Sequence, residues 1–297
     1  MISTIIPAYK NTEELKRNLK NNLPYLEGYE VIVVNDDPER SIKKDLGDMN
    51  IILIENKKNL GFGGTVNVGV EKAKQKYVML LNSDVVLGDS LFKNVLPNFE
   101  KNQNLFAVSF AQKEQGDRLV GKNKIFWDFG LVRHSKADDF TRGYTAWAEG
   151  GSSLFDKEKF IKLGGFDSLY SPFYWEDIDL SYRAWKAGYE ILFDPSVVVN
   201  HHHESTIGKY FDEKKINRIA FRNQHIFMMK TVTDFNLTFS YWLLLVPNCV
   251  YFFFKKEVSF VSGLVDALKS YFKILEHRKK QRKYFILQDS KILAKFQ

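Results

Sequence analysis

The chain has 297 residues, 44% of them hydrophobic and 15% aromatic, and a formal net charge of +7. That apolar fraction excludes an intrinsically disordered chain and suffices for one large domain, or one domain with an appendage. The single cysteine, Cys249, excludes an internal disulfide and any cysteine-based metal cluster, in keeping with a reducing, cytoplasmic setting. The opening MISTIIPAYK enters a strand pattern with no basic n-region or cleavage site, so no signal peptide is expected.

In chain order, strand and helix signals alternate first. STIIPAY reads as a buried strand, residues 12–23 as an amphipathic helix and YEVIVVND as a second strand. NIILIEN predicts a third strand, residues 64–75 a helix and YVMLLNSD a fourth strand. This alternation implies an α/β fold, its mainly parallel sheet flanked by helices and binding ligands beyond the carboxyl ends of the strands. Polar residues follow each strand at that edge: Tyr9, then Asp36 and Asp37, then Asn59, then Asn82 and Asp84. From Phe106 to Trp147 the spacing suggests antiparallel strands. A short helix from Asp156, the turn LGGFD, an acidic helix in FYWEDIDLSYR and a strand in AGYEILFDPSVVVN follow. Beyond residue 215 comes the apolar run FNLTFSYWLLLVPNCVYFFFKK and then a basic amphipathic segment. Residues 255–297 carry eleven Lys and Arg against four Asp and Glu, so the whole positive excess lies there. Such a block seeks phosphate, of nucleic acid or of an anionic membrane surface.

Four stretches carry the residue types of a reaction centre. KNLGFGGTVNVGV (Lys58–Val70) opens a helix with glycines; their N–H groups can hold a phosphate, or they serve a tight turn and close packing. It is neither a Walker A nor a dinucleotide fingerprint, since no Gly-Lys-Ser/Thr follows and Val66 replaces the last glycine. In LLNSDVVL, Asn82 and Asp84 share one side of an extended segment, suiting a hard cation, a ribose or a strand-closing turn. NHHHEST sets His201, His202 and His203 after a strand, where alternation lets one or two meet a metal; exposed loop residues are the other reading. Glu176, Asp177 and Asp179 follow three aromatics. They either complement a helix dipole or supply a carboxylate base in a half-dry pocket.

Taken in order, TIIPAYKN, VIVVNDD, NKKNLGFGGTVNVG, LLNSDV, GGSSLF, LGGFD, YWEDIDLSYRAWKAGYE and HHHEST resemble the family 2 glycosyltransferases, most closely their bacterial rhamnosyltransferase-like branch. The resemblance covers about residues 2–210. It implies a GT-A fold: a nucleotide-sugar half at 1–105, an acceptor half at 106–214 and a helical extension at 215–297. Pro7, Ala8 and Tyr9 would line the base and ribose, Asp36 would bond the base, and Asn59, Gly61 and Asn67 would shape the nucleotide pocket. Asn82-Ser83-Asp84 stands at the family's Asp-x-Asp motif. Asp84 is then the expected ligand of Mn2+ or Mg2+, Asn82 replaces the first acid, and Asn82 and Ser83 fall on the nucleotide side. His201 matches a late metal-binding histidine, with His202 and His203 as alternatives. Asp177 matches the catalytic base, while Trp175, Glu176, Gly150 and Gly151 fall on the acceptor side. Asp179 is left with the helix start.

The implied reaction is an inverting, metal-dependent transfer from a nucleotide-diphosphate sugar (dTDP-rhamnose or a UDP-hexose) to a hydroxyl of a glycan or lipid-linked acceptor in cell-envelope polysaccharide synthesis. A non-catalytic, glycosyltransferase-like scaffold is the rival reading, favoured by Asn82. Phe235–Phe254 with the basic residues behind it suits a monotopic anchor on the anionic inner face of the cell membrane. Helices packed on the catalytic domain or on a second subunit are the other reading. No nucleic-acid recognition motif is present.

Overall fold

The computed structural model describes residues 1–114, 118–201, 208 and 210–296. Strands β1 (Ile2–Ala8), β2 (Glu30–Asn35), β3 (Ile52–Glu55) and β4 (Tyr77–Leu81) are parallel, in the order β4-β1-β2-β3. Helices α1 (Thr12–Asn22), α2 (Lys43–Leu46) and α3 (Gly61–Lys72) make the crossovers. β1 and β4 are buried along their whole lengths, hence their unbroken apolar runs. Ile5, Val34 and Leu80 face a core shared with Val66 and Val70 of α3. Ile6, Val33 and Met79 face a second core with Leu15 and Leu19 of α1.

The sheet continues with β5 (Val85–Leu87), β6 (Leu105–Lys113) and β7 (Leu119–Val120), and α4 (Leu96–Lys101) leads into β6. After the hairpin β8 (Asn123–Asp128) and β9 (Leu131–Lys136) come β10 (Gly143–Tyr144), β11 (Ser152–Asp156) and α5 (Lys157–Lys162). Helix α6 (Glu176–Lys186) and strand β12 (Glu190–His201) complete this part. β11 inserts between β4 and β6, antiparallel to both, while β12 runs parallel to β6. Within the 106–147 stretch the pairings β6–β7 and β8–β9 are antiparallel, as its spacing suggests, and the parallel partner of β6 is the later strand β12. β8 and β9 form a separate two-stranded sheet.

Five helices close the chain: α7 (Glu213–Lys230), α8 (Phe235–Phe254), α9 (Ser259–Lys269), α10 (Tyr271–Arg282) and α11 (Asp289–Leu293). Phe227, Tyr241, Phe260, Ile274 and Ile292 from these helices join Trp175, Tyr182 and Trp185 in one core. The basic block of α10 is divided. His277 Nδ1 lies 2.9 Å from Asp167 Oδ1, and Arg278 donates to the carbonyls of Met229 and Val232. Lys279, Lys280, Arg282 and Lys283 stay exposed. α8 runs unbroken through Pro247, with Asn248 turned inward to donate to the carbonyl of Phe129 at 2.9 Å.

Candidate active site

A cleft of about 550 Å³ opens beyond the carboxyl ends of β1, β2 and β4. One wall carries Pro7, Ala8 and Tyr9 from the end of β1, Asp36 after β2, Asn59 and Gly61 at the mouth of α3, and Asn82, Ser83 and Asp84 after β4. Gly150, Gly151, Glu176 and Asp177 line the rest, the Gly151 carbonyl accepting the Asn82 N–H at 3.0 Å, and His201 stands at the end of β12. His202 and His203 lie outside the described residues.

Two expected residues do not line the cleft. Asn67 spends its amide on the backbone of Phe166, donating to its carbonyl at 2.8 Å and accepting its N–H at 3.0 Å. It ties the LGGFD turn to α3 instead of facing a nucleotide. Trp175 is buried, its ring against His134 and Phe227. It is a core residue that no acceptor reaches.

The glycine-rich helix fits the reading of a tight turn and close packing, not that of a phosphate cradle. Its first N–H groups are already taken: Asp36 Oδ2 accepts from Leu60 and Gly61 at 3.1 and 2.9 Å, and the Pro172 carbonyl accepts from Phe62 at 3.1 Å. Those amides cannot cradle a phosphate. Asp36 acts as an internal anion at the helix dipole and starts α3 at Gly61, three residues before the apolar pattern begins. Asn56 Nδ2 donates to the other oxygen of Asp36 at 2.8 Å. Gly61, at φ +72°, has no room for a side chain: a Cβ would stand 2.7 Å from Ser171 Oγ and 2.9 Å from the Pro172 carbonyl.

The turn after β4 is held from below by α1. Asn18 Nδ2 donates to the Ser83 carbonyl at 2.8 Å, and Asn22 bonds the Val85 carbonyl and the Leu87 N–H at 2.9 and 2.8 Å. Pairing of β5 with β12 sets His201 opposite Val85, and His201 Nε2 comes within 3.3 Å of Asp84 Oδ2. Asp84 Oδ1 and Asn82 Oδ1 are buried without a hydrogen-bond partner. Orphaned oxygens beside an imidazole are the donor set of a small hard cation. Among the described residues no group of three or more His, Cys, Asp or Glu forms a metal cage. An ion here would therefore fill its shell from a substrate, as Mg2+ and Mn2+ do with phosphates. The residues fit such an ion.

Across the cleft, Gly150 separates the Phe62 ring from Asp177; a Cβ there would lie 2.9 Å from the ring and 3.8 Å from Asp177 Cβ. Burial, then repulsion from Glu149, pushes the Asp177 carboxyl up to about 7, although the Ile178 N–H donates to Oδ1 at 2.8 Å. Burial and then Asp177 raise Glu176 well above the carboxylate range, and Glu176 Oε2 has no partner. Glu149 is held by Asn123 Nδ2 at 2.8 Å and Lys136 Nζ at 3.3 Å. The sequence reading missed Glu149; its signal was an acid abutting the Gly150–Gly151 pair. It also missed Phe62, Tyr210 and Phe211, which line the cleft together with Phe173 and Tyr174 of the expected aromatic run. Asp179 does more than start a helix. Fully buried, it meets Lys230 Nζ and Arg183 Nε, both at 2.8 Å, and Tyr170 OH at 2.9 Å.

The architecture and the cleft have counterparts among known proteins. The model of the family described as "Glycosyl transferase family 2" matches residues 3–164, and that of the "N-terminal domain of galactosyltransferase" matches residues 132–231. Poly-beta-1,6-N-acetyl-D-glucosamine synthase of Staphylococcus epidermidis is 24% identical over 201 residues, 65% of this chain and 48% of the relative. The chain thus spans about half the length of that relative. The O-antigen chain rhamnosyltransferase RfbN of Salmonella typhimurium is 26% identical over 226 residues, 71% of this chain and 70% of the relative. GalNAc-T7, solved with UDP, GalNAc and Mn2+, superposes with a TM-score of 0.58 at 16% identity, covering 77% of this chain and 48% of that one. That likeness establishes the GT-A fold. With more than half of its residues matched by the first of these family models, the chain belongs to glycosyl transferase family 2.

Proposed function

We propose that this glycosyltransferase is inverting and metal-dependent, moving a hexose from a nucleotide-diphosphate sugar to a hydroxyl of a glycan or lipid-linked acceptor in polysaccharide synthesis. The observation that carries the reading is Asp177: a carboxyl raised to about 7, in one cleft with the orphaned oxygens of Asp84 and Asn82. A base tuned near the working pH accepts a hydroxyl proton far better than an ordinary carboxylate. Asp177 takes that proton as the acceptor oxygen attacks the anomeric carbon, and one displacement inverts that centre. Glu176 orients the acceptor beside Gly150 and Gly151, and Pro7, Ala8 and Tyr9 receive the nucleoside. Asp84 and His201, with the Asn82 amide oxygen, would hold Mn2+ or Mg2+. Such an ion, when bound, neutralises the departing diphosphate. Phe62, Phe173 and Tyr174 keep out water, the competing nucleophile.

The UDP and Mn2+ bound by GalNAc-T7 and the glycan products named for the two relatives support this reading. The test is release of nucleoside diphosphate from a panel of UDP-hexoses and dTDP-rhamnose, with Mn2+ and with chelator. Turnover that needs the metal and disappears in Asp177→Asn supports the enzyme. Nucleotide binding without turnover on any donor instead supports a scaffold.

The same reading places the protein on the anionic cytoplasmic face of a membrane, and helix α8 supports it. Its inner face packs through Leu237, Tyr241, Leu245 and Phe252. Its outer face presents Phe235, Phe239, Leu243, Val246 and Phe254, exposed by 57% at Phe239 up to 79% at Phe235. A helix bordering water is polar on that face; this one has no Asp, Glu, Lys or Arg from residue 235 to 254. Exposed Lys255 and Lys256 follow directly, joining apolar surface to positive charge as a monotopic contact with acidic lipid requires. Vesicles of phosphatidylglycerol should co-sediment the protein and vesicles of phosphatidylcholine should not. Leu243→Glu with Val246→Glu should abolish the effect. A soluble dimer that ignores both vesicles overturns it.

A further inference from the structure

Helix α7 reaches the loop in front of Asp177 with two side chains, Arg222, whose Nη2 donates to the Ser171 carbonyl at 2.5 Å, and Asn223. Asn223 is 0% exposed, and its Nδ2 donates to the carbonyls of Tyr170, Phe173 and Tyr174 at 3.0, 2.9 and 2.8 Å. An amide nitrogen has two hydrogens, so three carbonyls share them. Arg222 decides which end of the amide faces the loop, donating to Asn223 Oδ1 through Nε at 2.9 Å and Nη2 at 2.8 Å. The three carbonyls converge because the chain turns left-handed there, with Tyr174 at φ 71° and Trp175 at φ 73°. Residues bearing a Cβ avoid this region, and two in succession persist only where their surroundings over-determine them. Glu176 and Asp177 come next, so the path of this loop aims the first turn of α6.

We infer that Asn223 is a positioning residue for Asp177, and that α7 thereby belongs to the catalytic apparatus. This rests on the reading of Asp177 as the base. Asn223 and Lys230 lie seven residues apart on one face of α7. Lys230 holds the body of α6 through Asp179 and also meets Asp167 at 2.7 Å. The two ties are separate. Removing Asn223 loosens the loop at Phe173 and Tyr174, while the Arg222 bond to Ser171 and the ionic anchor stay in place.

The experiment compares Asn223→Ala, Asn223→Ser and Asp177→Asn with the parent chain, using Mn2+ and whichever UDP-hexose or dTDP-rhamnose the parent turns over. Misaiming the base should lower kcat about 10- to 100-fold in Asn223→Ala. KM for the donor and Kd for UDP should stay within about threefold, because Asn223 bonds none of the residues assigned to the nucleotide. Asn223→Ser keeps one donor and should recover part of kcat; it also carries the test should Asn223→Ala not fold. Unchanged kcat with only a lower Tm overturns the inference, as does a loss of UDP affinity equal to the loss of kcat. Retained turnover in Asp177→Asn overturns the base reading itself, and a parent inactive on every donor overturns both. Dead Asp177→Asn beside fully active Asn223→Ala removes this inference alone.

Discussion

Asp177 and Asp179 stand two residues apart at the start of one helix, and their surroundings give them opposite chemistry. Burial acts to raise both. At Asp177 no cation among the described residues answers it and Glu149 adds repulsion, so the carboxyl rises to about 7. At Asp179, Lys230 and then Arg183 outweigh the burial and hold the group ionised below its ordinary range. Two residues along a helix is more than half a turn, so one acid faces the cleft while the other faces α7. The difference separates function from cohesion: the unpaired acid can accept a proton, and the paired one joins α6 to the C-terminal helices.

That contrast can be broken from either side. The largest effect is expected from Asp177→Asn, which should lower kcat by about 10²- to 10⁴-fold in a nucleotide-release assay, the ordinary span for a lost general base. Its stability should move the other way. A carboxyl whose folded pKa is raised stabilises the fold at low pH, and that contribution is lost as pH rises from the usual carboxylate range through about 7. Asp177→Asn should therefore be more resistant to urea than the parent at pH 8, and no gain there would contradict the electrostatics. On the other side, Lys230→Met leaves Asp179 and Asp167 buried without their shared cation. It should cost about 3–5 kcal/mol in urea unfolding, the usual penalty for breaking a buried pair.

Smaller changes sharpen the comparison. Glu149→Gln removes the second cause of the raised Asp177 carboxyl, so the rise of kcat with pH, centred near 7 in the parent, should shift to lower pH. An unmoved profile would mean that burial alone tunes the base. Asp36→Asn should have the smallest effect, about 0.5–2 kcal/mol, because it weakens the cap that starts α3 and the bond from Asn56. Differential scanning calorimetry would register it as a modest fall in Tm.

Several features of the molecule were already legible along the chain. Runs such as YVMLL, short and set between helical segments, read as strands buried on both faces, and the polar residues behind them collect at one edge of the sheet. Most of the expected cleft residues need nothing beyond that rule and the order of the motifs. The exceptions are long-range. Asn67 finds Phe166 across 99 residues and Lys230 finds Asp179 across 51, while the glycine-rich helix gives its first amides to Asp36 and not to a ligand. Periodicity reports which way a side chain points on its own element, within a few residues. Which acid remains unpaired, which amide is occupied and which asparagine gathers three carbonyls depend on partners brought near by packing, so only the tertiary structure decided them.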